Sequence, residues 1–288
     1  MKRAVGWDDL ALAISQGEGV AGSVLTLGVF DGLHRGHARL LAAAERLARA
    51  AGLQRVHIGF TPHPDQLIRG AAPLQLLDAG ELELRMAGAG VDLWCDLPFT
   101  PEMRDTPWEP FIERLTAMTA AKGIVLSPES AFGQGRLGTL PVVRAWGAAH
   151  GLQVHPVAEA TAGGAPIRST RIREAIANGD LTGAARFLGR PYALVGTLQG
   201  DQVRLQPNQA AMPPSGSYRA RVGVAGRPEG RLPLVGRLTT VRIDAGGSTA
   251  TLLRPDGVDR RFEGGPIRVA LLGGSLQRRF ATLCTSKM

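Results

Sequence analysis

The sequence predicts an α/β domain built on a parallel sheet, followed by a small antiparallel β-barrel or sandwich. Through residue 190, short apolar β-prone runs alternate with helix-length amphipathic segments, the pattern of strands joined by crossover helices. Beyond Gly189-Arg190-Pro191 the helical spacing stops, and short alternating runs follow one another between Gly/Pro turns. Charge divides at the same place: residues 1–190 hold 19 Lys+Arg against 19 Asp+Glu, residues 191–288 hold 14 against 6. A chain of 288 residues can bury a core in each of two domains, here placed at 1–190 and 191–288.

In chain order, strands are predicted at Val24–Phe30, Arg55–Phe60, Asp92–Phe99, Gly123–Ser127 and Leu152–Val157. The first helix runs from about Gly36 to Ala51 and stops at Gly52, a residue suited to the left-handed position after a helix. A second starts at Asp78 with Glu81 three residues on, as in a capping box. A third has Thr106 as N-cap, Pro107 in its first position and Glu109 at the third. Val142–His150, Thr170 to about Asn178, and Leu181–Leu188 complete the helices. The barrel strands are expected at Tyr192–Leu198, Ser217–Val224, Leu238–Ile243, Thr249–Leu253 and Pro266–Leu272.

No run approaches the roughly 18 apolar residues of a membrane span. Asp8 and Asp9 fall where a signal peptide needs an apolar core, so a cytoplasmic protein without a membrane partner is expected. Cys95 and Cys284 lie far apart without metal-type spacing and read as free thiols. The net charge of +8 could mark a polyanion surface. Only three of the 33 basic residues are lysines, however, which is also the mark of a GC-rich coding sequence. With no aromatic stripe and no nucleic-acid motif, a nucleic-acid partner is not expected.

The stretch most specific for chemistry is Gly28-Val29-Phe30-Asp31-Gly32-Leu33-His34-Arg35-Gly36-His37, between an apolar strand and an Ala/Leu-rich helix. A strand, a tight turn and a helix N-terminus direct unpaired N–H groups and a positive dipole end at an anion. A lone H-x-x-H there would be a turn with solvated histidines; the ten-residue string is far more specific. It resembles the G-x-F-D-G-x-H-x-G-H signature of the nucleotidylyltransferase module of bacterial FAD synthetases, the bifunctional riboflavin kinase/FMN adenylyltransferases. The resemblance implies a Rossmann-like nucleotidylyltransferase domain with a riboflavin-kinase-like barrel. It also implies that His34 and His37 contact the ATP phosphates, within a nucleotide-binding loop of Gly28, Val29, Phe30, Asp31 and Gly36.

Ile167-Arg168-Ser169-Thr170-Arg171-Ile172-Arg173 resembles the family's I-S-S-T-x-x-R motif, with Arg168 in place of the first serine. Taken by itself it is a capped helix start, with Ser169 or Thr170 as N-cap. The resemblance implies that Ser169, Thr170 and Arg171 hold ATP and that Arg173 neutralises charge on the leaving group. Gly59-Phe60-Thr61-Pro62-His63-Pro64 is similar to T-F-x-P-H-P and implies acceptor contacts from Phe60, Pro62 and His63. In the fourth motif, V-G-x-[D/N]-F-x-F-G-x-x-x-x-G, the chain keeps Phe132 and the glycines but has Glu129 and Ser130 at the Asp/Asn and aromatic positions. Glu129, Phe132 and Arg136 are the acceptor candidates there. Gly133 to Gly138 is formally G-x-G-x-x-G, but it does not join a strand directly to a helix.

The barrel departs further. Pro213-Pro214-Ser215-Gly216-Ser217-Tyr218 resembles the riboflavin kinase strand motif, but the P-T-A-N segment is missing before it, where Pro207-Asn208 stands. Thr249 falls where the family has its catalytic Glu, and a threonine cannot serve as general base for a hydroxyl. The resemblance therefore implies FMN adenylyltransferase activity on ATP and FMN, with Mg²⁺ accompanying ATP and kinase activity lost. Two alternatives stay open: transfer to a different phosphate acceptor, and a non-catalytic flavin- or nucleotide-binding regulator.

Overall fold

The computed structural model describes residues 1–17, 21–205, 210–225, 238–244, 249–252 and 264–275. They form a six-stranded parallel sheet with helices and a closed six-stranded antiparallel barrel. Contacts gather into two compact units that do not divide at one chain position. Met1–Phe30, Gly36–Pro73 and Met86–Pro166 form the first; Asp31–Arg35, Leu74–Arg85 and the chain from Ile167 onward form the second.

The sheet strands are β1 (Lys2–Val5), β2 (Ser23–Leu27), β3 (Gln54–Thr61), β4 (Leu93–Pro98), β5 (Ala121–Leu126) and β6 (Gln153–Pro156). Their spatial order is β1-β4-β3-β2-β5-β6. The chain thus runs outward from β2 through β3 to β4, then returns to β5 on the other side of β2. In open α/β sheets the crevice at the carboxyl ends beside such a reversal is where ligands bind. Successive side chains on a strand point to opposite faces, and β2 shows it clearly. Leu25 joins Ile58, Cys95, Ile124, Ile112 and Leu115 in the larger core, whereas Val24 packs with Val125 and with Ala43, Ala44 and Ala48. Leu10 and Ala13 of α1 (Gly6–Ser15) enter that larger core, and the alanines belong to α2 (Arg35–Ala51). Small residues on α2 let it approach the strands closely. Burial pushes the Cys95 thiol up to about 12, so it is an inert core residue. Cys284 lies outside the described residues.

The remaining helices are α3 (Pro64–Arg69), α4 (Ala79–Gly88), α5 (Pro101–Asp105), α6 (Trp108–Thr119), α7 (Leu140–His150), α8 (Ser169–Ala177) and α9 (Leu181–Leu188). Three expected caps differ. Thr106 closes α5 instead of opening α6; its hydroxyl donates to the Glu102 carbonyl at 2.7 Å, and Pro107 takes the cap position of α6. The capping box on α4 is half formed. Asp78 accepts from the Gly80 and Glu81 N–H groups at 3.0 and 3.2 Å, but the Glu81 carboxylate turns to Arg85 and Arg268. Neither Ser169 nor Thr170 caps α8, whose cap residue is Arg168; Ser169 donates instead to the Asp31 carbonyl at 3.3 Å. Strand β2 also ends at Leu27, three residues before the expected Phe30. Strand β1 and helix α1 are not among the expected elements: β1 is only four residues long, and the apolar residues of α1 crowd together over residues 10–14 instead of recurring at helical spacing.

The barrel strands are β7 (Tyr192–Gln199), β8 (Gln202–Leu205), β9 (Gly216–Val224), β10 (Thr239–Ile243), β11 (Thr249–Leu252) and β12 (Pro266–Ser275). Their order β7-β8-β11-β10-β9-β12 closes on β7. Leu194, Leu198, Val203, Val241, Ile267 and Val269 point inward and are fully buried. Strand β8 was missed as an element because its four residues carry only two apolar side chains, Val203 and Leu205. Pro207, Asn208 and the expected strand end at Leu253 lie outside the described residues.

Candidate active site

In the first unit the carboxyl ends of the strands open on a cavity of about 580 Å³. Gly28 and Val29, directly after β2, form part of its wall. Phe60 and His63 come from the end of β3 and the loop beyond it, and Phe132 and Arg136 from the hairpin after β5. Phe99 and Phe111 complete an aromatic lining: Phe60 meets Phe99 edge-on at 5.6 Å, and Phe111 lies 5.7 Å from Phe132. The volume and the apolar walls with few polar groups fit a planar, drug-sized ligand. Phe99 and Phe111 were missed from sequence; the position of Phe99, one residue beyond β4, is the signal that could have found it.

Local structure explains the hairpin. Ala131–Phe132 pairs with Gly138–Thr139, so Gly133 to Gly138 is a tight reversal and not a dinucleotide fingerprint. Gly133 has φ +72°, and an added Cβ would come within 2.5 Å of the Trp108 Cα. Gly133→Ala is therefore expected to destabilise the first unit by at least about 2 kcal/mol, read as a drop in thermal midpoint. His63 takes the cap position of α3, its Nδ1 accepting from the Asp65 N–H at 3.1 Å. Pro62 is exposed and off the cavity wall, as is Glu129.

The signature's His37 sits in the first turn of α2, half-buried, its ring stacked on Phe30 at 4.3 Å and 7° between planes. Gly36 precedes it in the same turn.

Residues 31–35 of the signature belong to the second unit, where they are held from several sides. The Asp31 carboxylate pairs with Arg173 Nη2 at 2.5 Å and accepts from the Leu76 N–H at 3.0 Å. Arg173 Nε donates to the Leu74 carbonyl at 2.6 Å. Arg190 donates to the Gly32 and Leu33 carbonyls at 2.7 and 3.2 Å. Gly32, at φ +74°, leaves an added Cβ only 2.9 Å from the Leu76 Cβ. His34 is buried, and burial with the nearby Arg190 charge lowers its pKa to about 4, while a bond to its own backbone opposes. It is neutral at pH 7 and offers one donor and one acceptor rather than a charge.

The expected motif residues divide accordingly. Gly28, Val29, Phe60, His63, Phe132 and Arg136 share one cavity wall. Asp31, Ser169 and Arg173 form one hydrogen-bonded cluster in the second unit. Thr170 is exposed at the start of α8, and the Arg171 guanidinium lies 5.2 Å over the Phe187 ring. Arg190 and Leu74–Leu76 were missed, since backbone-directed contacts leave no motif.

Comparison with known proteins places these observations. A family model described as FAD synthetase matches residues 18–171, more than half of the chain. The bifunctional riboflavin kinase/FMN adenylyltransferase of Escherichia coli strain K12 is 31% identical over 185 residues, 63% of this chain and 59% of that protein. The chain thus aligns with about three fifths of that relative's length. An FAD synthetase of Listeria monocytogenes is 28% identical over 218 residues, 74% of this chain and 87% of that protein. A crystal structure described as a macrolide-efflux protein from Streptococcus pneumoniae matches with a TM-score of 0.78, over 95% of this chain and 99% of that one. At 22% identity that likeness is one of fold. The complete signature and the matched span together show that the chain belongs to the FAD synthetase family.

Proposed function

We propose that the protein is a nucleotidylyltransferase that makes FAD from FMN and ATP. The observation that carries this reading is the cavity wall on which Gly28 and Val29 of the signature meet Phe60, Phe132 and Arg136. Such a wall can hold a nucleotide against a flat aromatic acceptor. In the reaction an FMN phosphate oxygen attacks the α-phosphorus of ATP; that P–O bond forms, the bond to the β-phosphate breaks, and pyrophosphate leaves. The protein has to align the reactants and neutralise charge on the phosphates. His37 is the donor assigned to the phosphates, with the α2 N-terminus behind it. Neutral His34 contributes a hydrogen bond. Ser169, Thr170 and Arg171 are assigned to ATP. Arg173 is assigned to leaving-group charge; its bonds to Asp31 and Leu74 use Nε and Nη2 and leave Nη1 for that task.

Among the described residues no group of three or more His, Cys, Asp or Glu could hold a metal ion. Mg²⁺ enters this reading as the ATP complex. No helix among the described residues is long and apolar enough to cross a membrane. Glu129 departs from the family pattern; it is exposed and does not line the cavity. The barrel over 191–288 is read as a kinase-like domain without kinase activity, on Thr249 and the missing P-T-A-N segment.

Incubation with Mg-ATP and FMN, followed by chromatography, tests this: FAD is the expected product. Tight ATP binding without FAD would point to another acceptor. Phosphorylation of riboflavin would overturn kinase loss.

A further inference from the structure

We propose that His57, which none of the motifs includes, is a positioning residue that sets the ring of His37. The inference rests on the reading of His37 as the phosphate donor, and it starts from a row of residues across the sheet. Arg3 pairs in register with Trp94, Trp94 with His57, and His57 with Thr26, spanning β1, β4, β3 and β2. Residues paired this way in neighbouring strands point to the same face and touch. The Arg3 guanidinium lies 3.6 Å over the Trp94 ring, held in place by its ion pair with Asp96 at 2.7 Å. Trp94 meets His57 edge-on at 6.1 Å.

At its other end the row reaches the signature. Thr26, two residues before Gly28, the first residue of the signature, has its Oγ1 3.0 Å from His57 Nδ1. The His57 ring lies 4.4 Å from Phe30, which in turn stacks on His37 at 4.3 Å with the planes 7° apart. His57 therefore touches the signature at Phe30, the ring that carries His37.

A buried histidine is most often a satisfied core residue, and an apolar side chain would fill the same space. The direction of its polar bond is what separates His57 from that case. It goes to Thr26 on β2 and fixes the imidazole in rotation as well as in place. A fixed imidazole fixes the Phe30 ring, and a parallel stack sets the plane in which His37 directs its nitrogens. Transfer between two phosphates depends on such alignment, where a misplacement of about 1 Å can cost about 100-fold in rate. The binding of ATP depends on it less, because many contacts share the triphosphate.

The test uses the full chain with His57→Ala, His57→Gln and Thr26→Val. The measurements are kcat and KM for ATP at saturating FMN, and the NMR shifts of the His37 ring protons, which the Phe30 ring current displaces. For His57→Ala, kcat is expected to fall about 10- to 100-fold, KM for ATP to stay within about threefold, and the His37 signals to move. His57→Gln, which keeps a donor and an acceptor, should recover part of the rate. Thr26→Val should lower kcat about threefold to tenfold in a folded protein, and it decides the matter if His57→Ala does not fold. Folded variants with kcat within about twofold of the parent, or unmoved His37 signals, would overturn the proposal. If the parent makes no FAD, the assigned reaction fails, and the His37 shifts alone then support or overturn the positioning role.

Discussion

His37→Ala lowers the rate of FAD formation by roughly 10²–10³-fold, the cost of removing one preorganised donor aimed at charge developing in the transition state. The protein should nevertheless fold. His37 lies in the first turn of a 17-residue helix, where alanine is the best helix former, and its ring is only half-buried. Initial rates with Mg-ATP and FMN, with circular dichroism on the same samples, separate the two effects. Full activity in a folded variant would refute the phosphate assignment. His34→Ala should behave differently. That ring is buried, so its removal leaves a cavity and costs stability along with rate.

Mild acid should destabilise the protein well before its carboxylates protonate. Burial lowers His34 to about 4 and His57 to about 3, against the ordinary 6.5 that each regains on unfolding. In both cases the nearby cation, Arg190 or Arg3, pushes the same way. Between pH 6.5 and these lowered values the unfolded chain binds protons that the folded one refuses. Stability is therefore complete above pH 6.5 and falls as pH falls toward 4. Each histidine removes about 1.4 kcal/mol per pH unit, or about 2 kcal/mol between pH 7 and 5. Against a typical stability of about 5–15 kcal/mol, the loss should be plain in urea midpoints measured across that range. A flat profile from pH 7 to 5 would show that these imidazoles are solvated. His57→Gln should remove its share of the slope, provided the variant folds.

The parts legible in sequence were those governed by short-range rules. Strand-to-helix alternation located five of the six sheet strands to within a few residues, and Gly52 ended its helix in the left-handed conformation expected of it. Caps read less well, because a hydroxyl or carboxylate near a helix start has competing partners. Ser169 finds the Asp31 carbonyl, 138 residues away, and Glu81 finds Arg268, 187 residues away. The site divided in the same way. Gly28, Phe60 and Phe132 were legible because fixed spacings carry them, and the cavity assembles them at one end of the sheet. Arg190 and His57 were not. One donates to backbone carbonyls and the other is a single polar residue in an apolar strand, and neither leaves a pattern in the chain.

The cluster around Asp31 also bears on when the protein becomes able to work. Its partners Arg173 and Arg190 stand 142 and, counted from Gly32, 158 residues further along the chain. Contacts so distant in sequence form late, because the intervening loop must close before they stabilise anything. During synthesis, residues 31–35 must wait for the segment that holds them, long after the strand before them has emerged. The signature's contacts are thus completed by a segment well over a hundred residues further on, and a ribosome-bound fragment ending before Arg173 would carry every letter of it without its Asp31 ion pair.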